Sequence, residues 1–213
     1  MNTNSMKWTT AAMAVASALL VGACSDSTGP GGDGRVSAVL TDSPSGSQVS
    51  YPATRAGAPM AASGFQGQMN GSAQVYIYSQ ADGWVELGSP SSANVTLQSS
   101  NETTIHSQAR VPVGTYTKVR LVLEGSSTNV AAGAVFGGIT LGASVSITMG
   151  GSDGEIVIEK TVQPFTVTAD ASAVVRFDMN SEVWVNQQTA ESKTCSDSEV
   201  SNATTAHVEE TPQ

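Results

Sequence analysis

The segment Thr115-Tyr116-Thr117-Lys118-Val119-Arg120-Leu121-Val122-Leu123 reads as the best strand in the chain. Val119, Leu121 and Leu123 fall on one side of an extended chain, with Lys118, Arg120 and Glu124 on the other. That two-residue period is the mark of a half-buried strand. Upstream, Val75-Tyr76-Ile77-Tyr78 leads to Asp82-Gly83, a strong hairpin signal, and Trp84-Val85-Glu86-Leu87 reads as the returning strand. Val36 to Leu40 is a short strand closed by Thr41-Asp42-Ser43-Pro44, with Asp and Pro in favoured turn roles. Residues 45–64 show no periodicity and read as a long loop, and Val95–Leu97 and Thr104–Val111 are weaker strands.

Downstream, 135–141 is a strand bent at Gly137-Gly138, Val145, Ile147 and Met149 alternate, and 150–154 turns the chain into Ile156 and Ile158. Phe165–Thr168 and the alternating Val175, Phe177 and Met179 follow, and 181–185 with Trp184 is expected to close the last sheet. Nothing in this span carries a helical period. Roughly eight to ten short strands over residues 35–185 define an all-β fold, an antiparallel β-sandwich. Residues 186–213 lose the alternation and gain Glu191, Asp197, Glu199, Glu209 and Glu210, so an acidic, polar, disordered tail is expected there.

Composition narrows the function classes. The 213 residues carry 9 Lys+Arg against 18 Asp+Glu, a net charge of −9. That balance argues against nucleic acid, whose binding rests on cations neutralising phosphates. Collagen, coiled-coil and polytopic membrane readings fail for want of a triplet, a heptad or repeated long apolar runs. The apolar content suits one core.

The first 23 residues read as a secretory signal. Lys7 supplies the positive start, and the apolar run from Thr9 to Ala23 is too short to span a bilayer. Its end, Leu20-Val21-Gly22-Ala23-Cys24, looks like the lipobox of bacterial lipoproteins. Small residues let the backbone enter a peptidase extended, and the Cys24 thiol would carry the diacylglycerol. Residues 24–34 then form a polar Gly-rich tether. The implied address is the cell envelope, with the membrane as partner through the N-terminal lipid. Ser25 after the cysteine points to the outer membrane by the enterobacterial sorting pattern. With Cys24 acylated, Cys195 has no intramolecular partner; its polar, acidic surroundings suggest an exposed thiol of raised pKa.

Three stretches in order carry a family resemblance: Val36 to Pro44, Pro112-Val113-Gly114-Thr115-Tyr116 continuing to Leu123, and Val174-Val175-Arg176-Phe177-Asp178-Met179. Together they resemble a family of bacterial and archaeal envelope lipoproteins with a domain of unknown function, marked by T-D-x-P and P-x-G-x-Y elements. The second element also occurs in transthyretin-like sandwich modules. The resemblance spans roughly residues 35–185 and departs at the 45–64 loop. It implies a sandwich and an envelope setting, and no activity.

Catalytic motifs fail on context. Gly29-Pro30-Gly31-Gly32-Asp33-Gly34 matches G-x-G-x-x-G but lacks the preceding strand and following helix of a dinucleotide site. Gly150-Gly151-Ser152-Asp153-Gly154 matches G-x-S-x-G, yet a strand, not a helix, is expected after it. His106 reads as a surface strand residue, and His207 lies in the tail. No clustered ligands suggest zinc, and Asp33, Asp42, Asp82, Asp153, Asp178 and Asn180, the candidates for calcium, all have ordinary turn roles. No cofactor or metal is expected.

What remains is the set of Tyr76, Tyr78 and Trp84, which share a hairpin. Facing outward they would form a binding surface for an envelope protein or a glycan; facing inward they are packing. The reading is therefore a lipid-anchored envelope sandwich acting as a binding or structural module, not an enzyme. The alternative is an envelope hydrolase, or a calcium- or glycan-binding module, with an unrecognised site. Mass spectrometry of the N-terminal peptide of the mature protein should show it starting at Cys24 with lipid on the sulfur; an unmodified start elsewhere would overturn the anchor.

Overall fold

The apolar faces marked out by the alternation pack against each other from two sheets. The computed structural model describes residues 32–44, 65–136, 139–150, 154–169 and 171–212. The signal segment, Cys24 and its tether up to Gly31, the 45–64 loop, Gly137-Gly138 and residues 151–153 lie outside the described residues. In chain order the first strands are β1 (Asp33–Asp42), β2 (Gly67–Ser79), β3 (Gly83–Glu86), β4 (Ser91–Thr96), β5 (Ser99–Pro112) and β6 (Gly114–Val130). Then come β7 (Val135–Phe136), β8 (Ile139–Thr140), β9 (Val145–Met149), β10 (Glu155–Val167) and β11 (Ala171–Asp178). The C-terminal part adds α1 (Ser181–Trp184), α2 (Gln187–Ser192), β12 (Thr194–Cys195), α3 (Asp197–Ala203) and β13 (Thr205–Pro212).

One sheet has the order β13-β11-β1-β5. The other runs β12-β9-β6-β2-β3, with β10 also pairing β6 and β4 also pairing β2; β7 and β8 make a separate small hairpin. Between the sheets lie fully buried Leu40, Val75, Ile77, Leu121, Ile147, Ile158 and Phe177. Burying each aliphatic of this size contributes about 1.5–3 kcal/mol.

The sandwich is mixed rather than purely antiparallel. β1 runs parallel to β11, with Ala38 opposite Val175 and Leu40 opposite Phe177, and β12 runs parallel to β9. Alternation reports which residues face the core and says nothing of strand direction, so the parallel pairs escape a sequence reading. β1 is covered on both sides and its last five residues are all buried, as a central parallel strand requires.

Both open sides of the sandwich are tied. At one, Thr103 Oγ1 donates to the Asn94 carbonyl at 2.6 Å and Ser91 Oγ to the Ile105 carbonyl at 2.9 Å, joining β5 to β4. At the other, the backbone N–H of Thr166 on β10 donates to Glu210 on β13 at 2.7 Å. The step from β5 into β6, which changes sheets, is held by Tyr116, whose hydroxyl donates to the Pro112 carbonyl at 2.7 Å. This is a tyrosine corner. The ring stacks on Phe165 at 5.6 Å between centroids, and burial pushes the phenol pKa up to about 12.

Two expectations for the C-terminal part are corrected. Residues 181–185 do not form a strand: Ser181–Trp184 is one helical turn that drops the Trp184 indole into the core, its Nε1 donating to the Met179 carbonyl. Nor do the described residues 186–212 form a disordered tail. Asn186 and Ser196 form capping boxes that start α2 and α3, Val200 and Ala203 are buried, and β13 pairs with β11 along its full length. These elements bury single small residues through helices of six and seven residues, too short to show a period. Ending the chain after Asn186 should therefore cost roughly 3 kcal/mol or more of stability by stripping β13 from β11; an unchanged urea midpoint would contradict this.

Candidate functional site

Strand β2 decides which way the aromatic residues point. Val75 and Ile77 have no exposed surface, so Tyr76 and Tyr78, one step out of phase, stand on the outer face and are half-buried there. Register then assembles the neighbours. Across β3, Trp84 lies opposite Tyr78 and Glu86 opposite Tyr76; across β6, Lys118 lies opposite Tyr78 and Arg120 opposite Tyr76. Gly83 makes the hairpin possible, since its φ of 73° lies in the left-handed region that side chains resist. Asp82 completes the turn, its carboxylate accepting from Ser79 Oγ and its N–H donating to that hydroxyl.

The three aromatics do not stand alone. Tyr78 and Trp84 pack at 5.2 Å with rings tilted by 58°. The Arg120 guanidinium lies 4.0 Å from the Trp84 ring centre and Lys118 Nζ 5.6 Å from that of Tyr78. From β10, Glu159 reaches both cations, at 2.9 Å to Arg120 and 3.1 Å to Lys118. Hydrogen bonds from Arg120 and Lys118 hold its carboxyl below the ordinary glutamate range. The result is a ladder of carboxylate, cation and ring across four strands. The alternation at 115–123 already placed Lys118 and Arg120 on an outer face. Their meeting with Tyr78, Trp84 and Glu159 depends on register, which no local pattern carries.

Other residues singled out from the sequence fall elsewhere. His106 is buried, not on the surface, and its Nε2 has no hydrogen-bond partner among the described residues. It sits against Gly88, where a Cβ would stand 3.0 Å from Nδ1; burial pushes its pKa down. Cys195 is likewise buried, at 2% exposure, because Thr194-Cys195 pairs with β9 and turns the thiol inward. Burial, and next the Glu199 carboxylate 3.7 Å away, push the thiol pKa well up. Gly150 and Gly154 flank the link from β9 to β10, so a strand follows the G-x-S-x-G match. Asp42 accepts from the Ser181 and Gln98 backbone N–H groups and ties β1 to both segments. Among the described residues no three His, Cys, Asp or Glu side chains converge as metal ligands. Cys24 lies outside the described residues.

This is a β-sandwich with an outward aromatic and cationic flank. Residues 33–195 match the model of a domain of unknown function, DUF4382, and the chain belongs to that family. No curated protein matches the chain. No solved structure matches it either.

The outward placement sets an order of mutational costs. Tyr76→Ala with Tyr78→Ala should cost about 1–2 kcal/mol, mostly the ring pair and cation contacts. Ile77→Ala alone should cost about 2–5 kcal/mol. Urea denaturation of the two variants measures both, and the reverse order would place the rings inside.

Proposed function

We propose that this protein is a lipid-anchored recognition module of the bacterial cell envelope. It is held in the membrane through Cys24 and makes its contacts through the flank of Tyr76, Tyr78 and Trp84. The observation that carries the reading is the phase of β2: the two tyrosines project from a sheet whose intervening residues Val75 and Ile77 are fully buried. Large rings kept at a surface supply contact area at small entropic cost, which is why such residues dominate binding hot spots. Recognition without chemistry is supported by the sealed position of His106 and the strand-to-strand context of Gly150–Gly154. An elevated thiol pKa likewise makes Cys195 a poor nucleophile.

A photo-crosslinking amino acid placed at Tyr76 in the native host tests the reading. Adducts should form there and not at Glu102, an exposed position on the other sheet. Equal adduct yield at the two positions, or none at Tyr76, would remove the flank as the contact surface.

A further inference from the structure

The flank lies at one end of the sandwich, and that end is where the tether joins. β1 begins at Asp33, opposite Pro112, the last residue of β5, and β6 starts at Gly114. Lys118 and Tyr78 are close to the β2–β3 hairpin at the same end, because β2 and β6 pair antiparallel. Only eight residues separate Cys24 from Asp33. A chain of that length reaches at most about 30 Å.

On the other sheet, the same end carries Arg35 and Arg110. They are directly opposite each other on β1 and β5, both exposed, and neither has an ion-pair partner among the described residues. Like charges facing each other across a ladder are unfavourable unless an anion is shared between them. Between the two sheets the end opens into a notch of about 400 Å³, lined by Gly32, Val113, Gly114, Thr166, Val167 and Ala169.

Charge is distributed unequally along the strands. At the tether end Asp33, Asp82, Glu86, Glu159 and Glu210 stand against Arg35, Arg110, Lys118, Arg120 and Lys160, with Glu159 already paired to Lys118 and Arg120, so Arg35 and Arg110 are the cations left open there. Toward the opposite end stand Glu102, Glu124, Glu155, Asp178 and Glu182. The only described Lys and Arg there are Lys193 and Arg176, the latter occupied by Glu102 and Glu209. From Arg35 to the level of Glu102 is about 20 Å of strand, roughly two Debye lengths at physiological salt. A negative surface beside the tether end would therefore feel Arg35 and Arg110 together with the nearby Asp33, and little of the distant carboxylates.

We propose that the tether end of the sandwich docks on the anionic phospholipid surface that holds the anchor. Arg35 and Arg110 engage headgroup phosphates, and Trp84 with Tyr78 settles at the headgroup level, where amphipathic rings are favoured. Each arginine brought to such a surface favours docking about five-fold. The acidic end is held outward. The proposal names the partner of the flank and rests on the anchored-recognition reading above.

The test uses the protein purified from membranes and reconstituted into phosphatidylcholine vesicles with or without roughly 30% phosphatidylglycerol, with a nitroxide at the lipid headgroup. Should Cys24 carry no lipid, the thiol is coupled to a maleimide phospholipid, since Cys195 is buried. Trp84 emission should be quenched in the anionic vesicles, several-fold less so in R35Q/R110Q, and again quenched in R35K/R110K. Trp84→Phe should abolish the effect, because Trp184 is buried near the opposite end. Quenching that is indifferent to phosphatidylglycerol, or unchanged in R35Q/R110Q, would overturn the docking. Docking by a chain coupled through maleimide, after native Cys24 proved bare, would uphold this inference while refuting the natural anchor.

Discussion

A carboxylate with no exposed surface, that of Asp42, holds the end of the sandwich farthest from the tether. It accepts from the Ser181 backbone N–H at 2.6 Å, from the Ser181 hydroxyl, and from the Gln98 N–H at 2.7 Å. Those partners lie 139 and 56 residues away. One side chain thus fixes the last residue of β1, the β4–β5 turn and the start of α1 against each other. Burial pushes its pKa up, while the donors from Ser181 and Gln98 pull the other way. Removing the carboxylate would strand buried donors, and removing the donors would strand a buried charge. Each side therefore requires the other, and the strained Gln98, with φ at 53°, is retained because its N–H faces this acceptor.

The opposite end is governed by sterics more than charge. β5 ends at Pro112, which has no N–H to offer a ladder, and the chain changes sheets by Gly114. Tyr116 closes the corner by returning its hydroxyl to the Pro112 carbonyl from a fully buried ring. Gly34 adds a second constraint nearby: a Cβ there would come within 2.1 Å of Val167, so β1 can pass β10 only without a side chain. The stretches that resemble T-D-x-P and P-x-G-x-Y thus occupy opposite ends of the domain, one a buried hydrogen-bond node and the other a corner.

Local periodicity made much of this legible. The inward sets at 119–123, 145–149 and 175–179 are buried except for the half-buried Val145, and the Asp82-Gly83 turn stands where it was expected. What escaped has a common cause. Strand direction, as in β1 against β11, and cross-strand neighbours, as in Arg120 against Trp84, depend on residues far apart in the chain. The C-terminal elements failed for another reason. Their burial comes from Ala190, Cys195, Val200 and Ala203, small or isolated residues that build no apolar run. Their ends are set instead by Asn186 and Ser196, polar residues that in isolation read as loop. Cys195 appeared exposed because its chain neighbours are polar, yet its pairing with β9 turns it inward.

The same interactions that make the aromatic flank rigid also limit what it can bind. Arg120 already covers Trp84, and Lys118 approaches Tyr78, so a ligand needing a bare ring to stack on meets a cation first. Displacing Glu159 from those cations is not costly. Glu159 and Lys118 are well exposed, at 38% and 42%, and exposed ion pairs of this kind contribute at most about 1 kcal/mol. A partner bearing anionic groups can therefore replace Glu159 on Lys118 and Arg120 while leaving the rings in place, gaining charge contacts and ring edges together. A neutral ligand would have to displace the cations with nothing to put in their stead. On the proposed docking, the arrangement would disfavour uncharged partners and favour anionic ones presented over a broad surface.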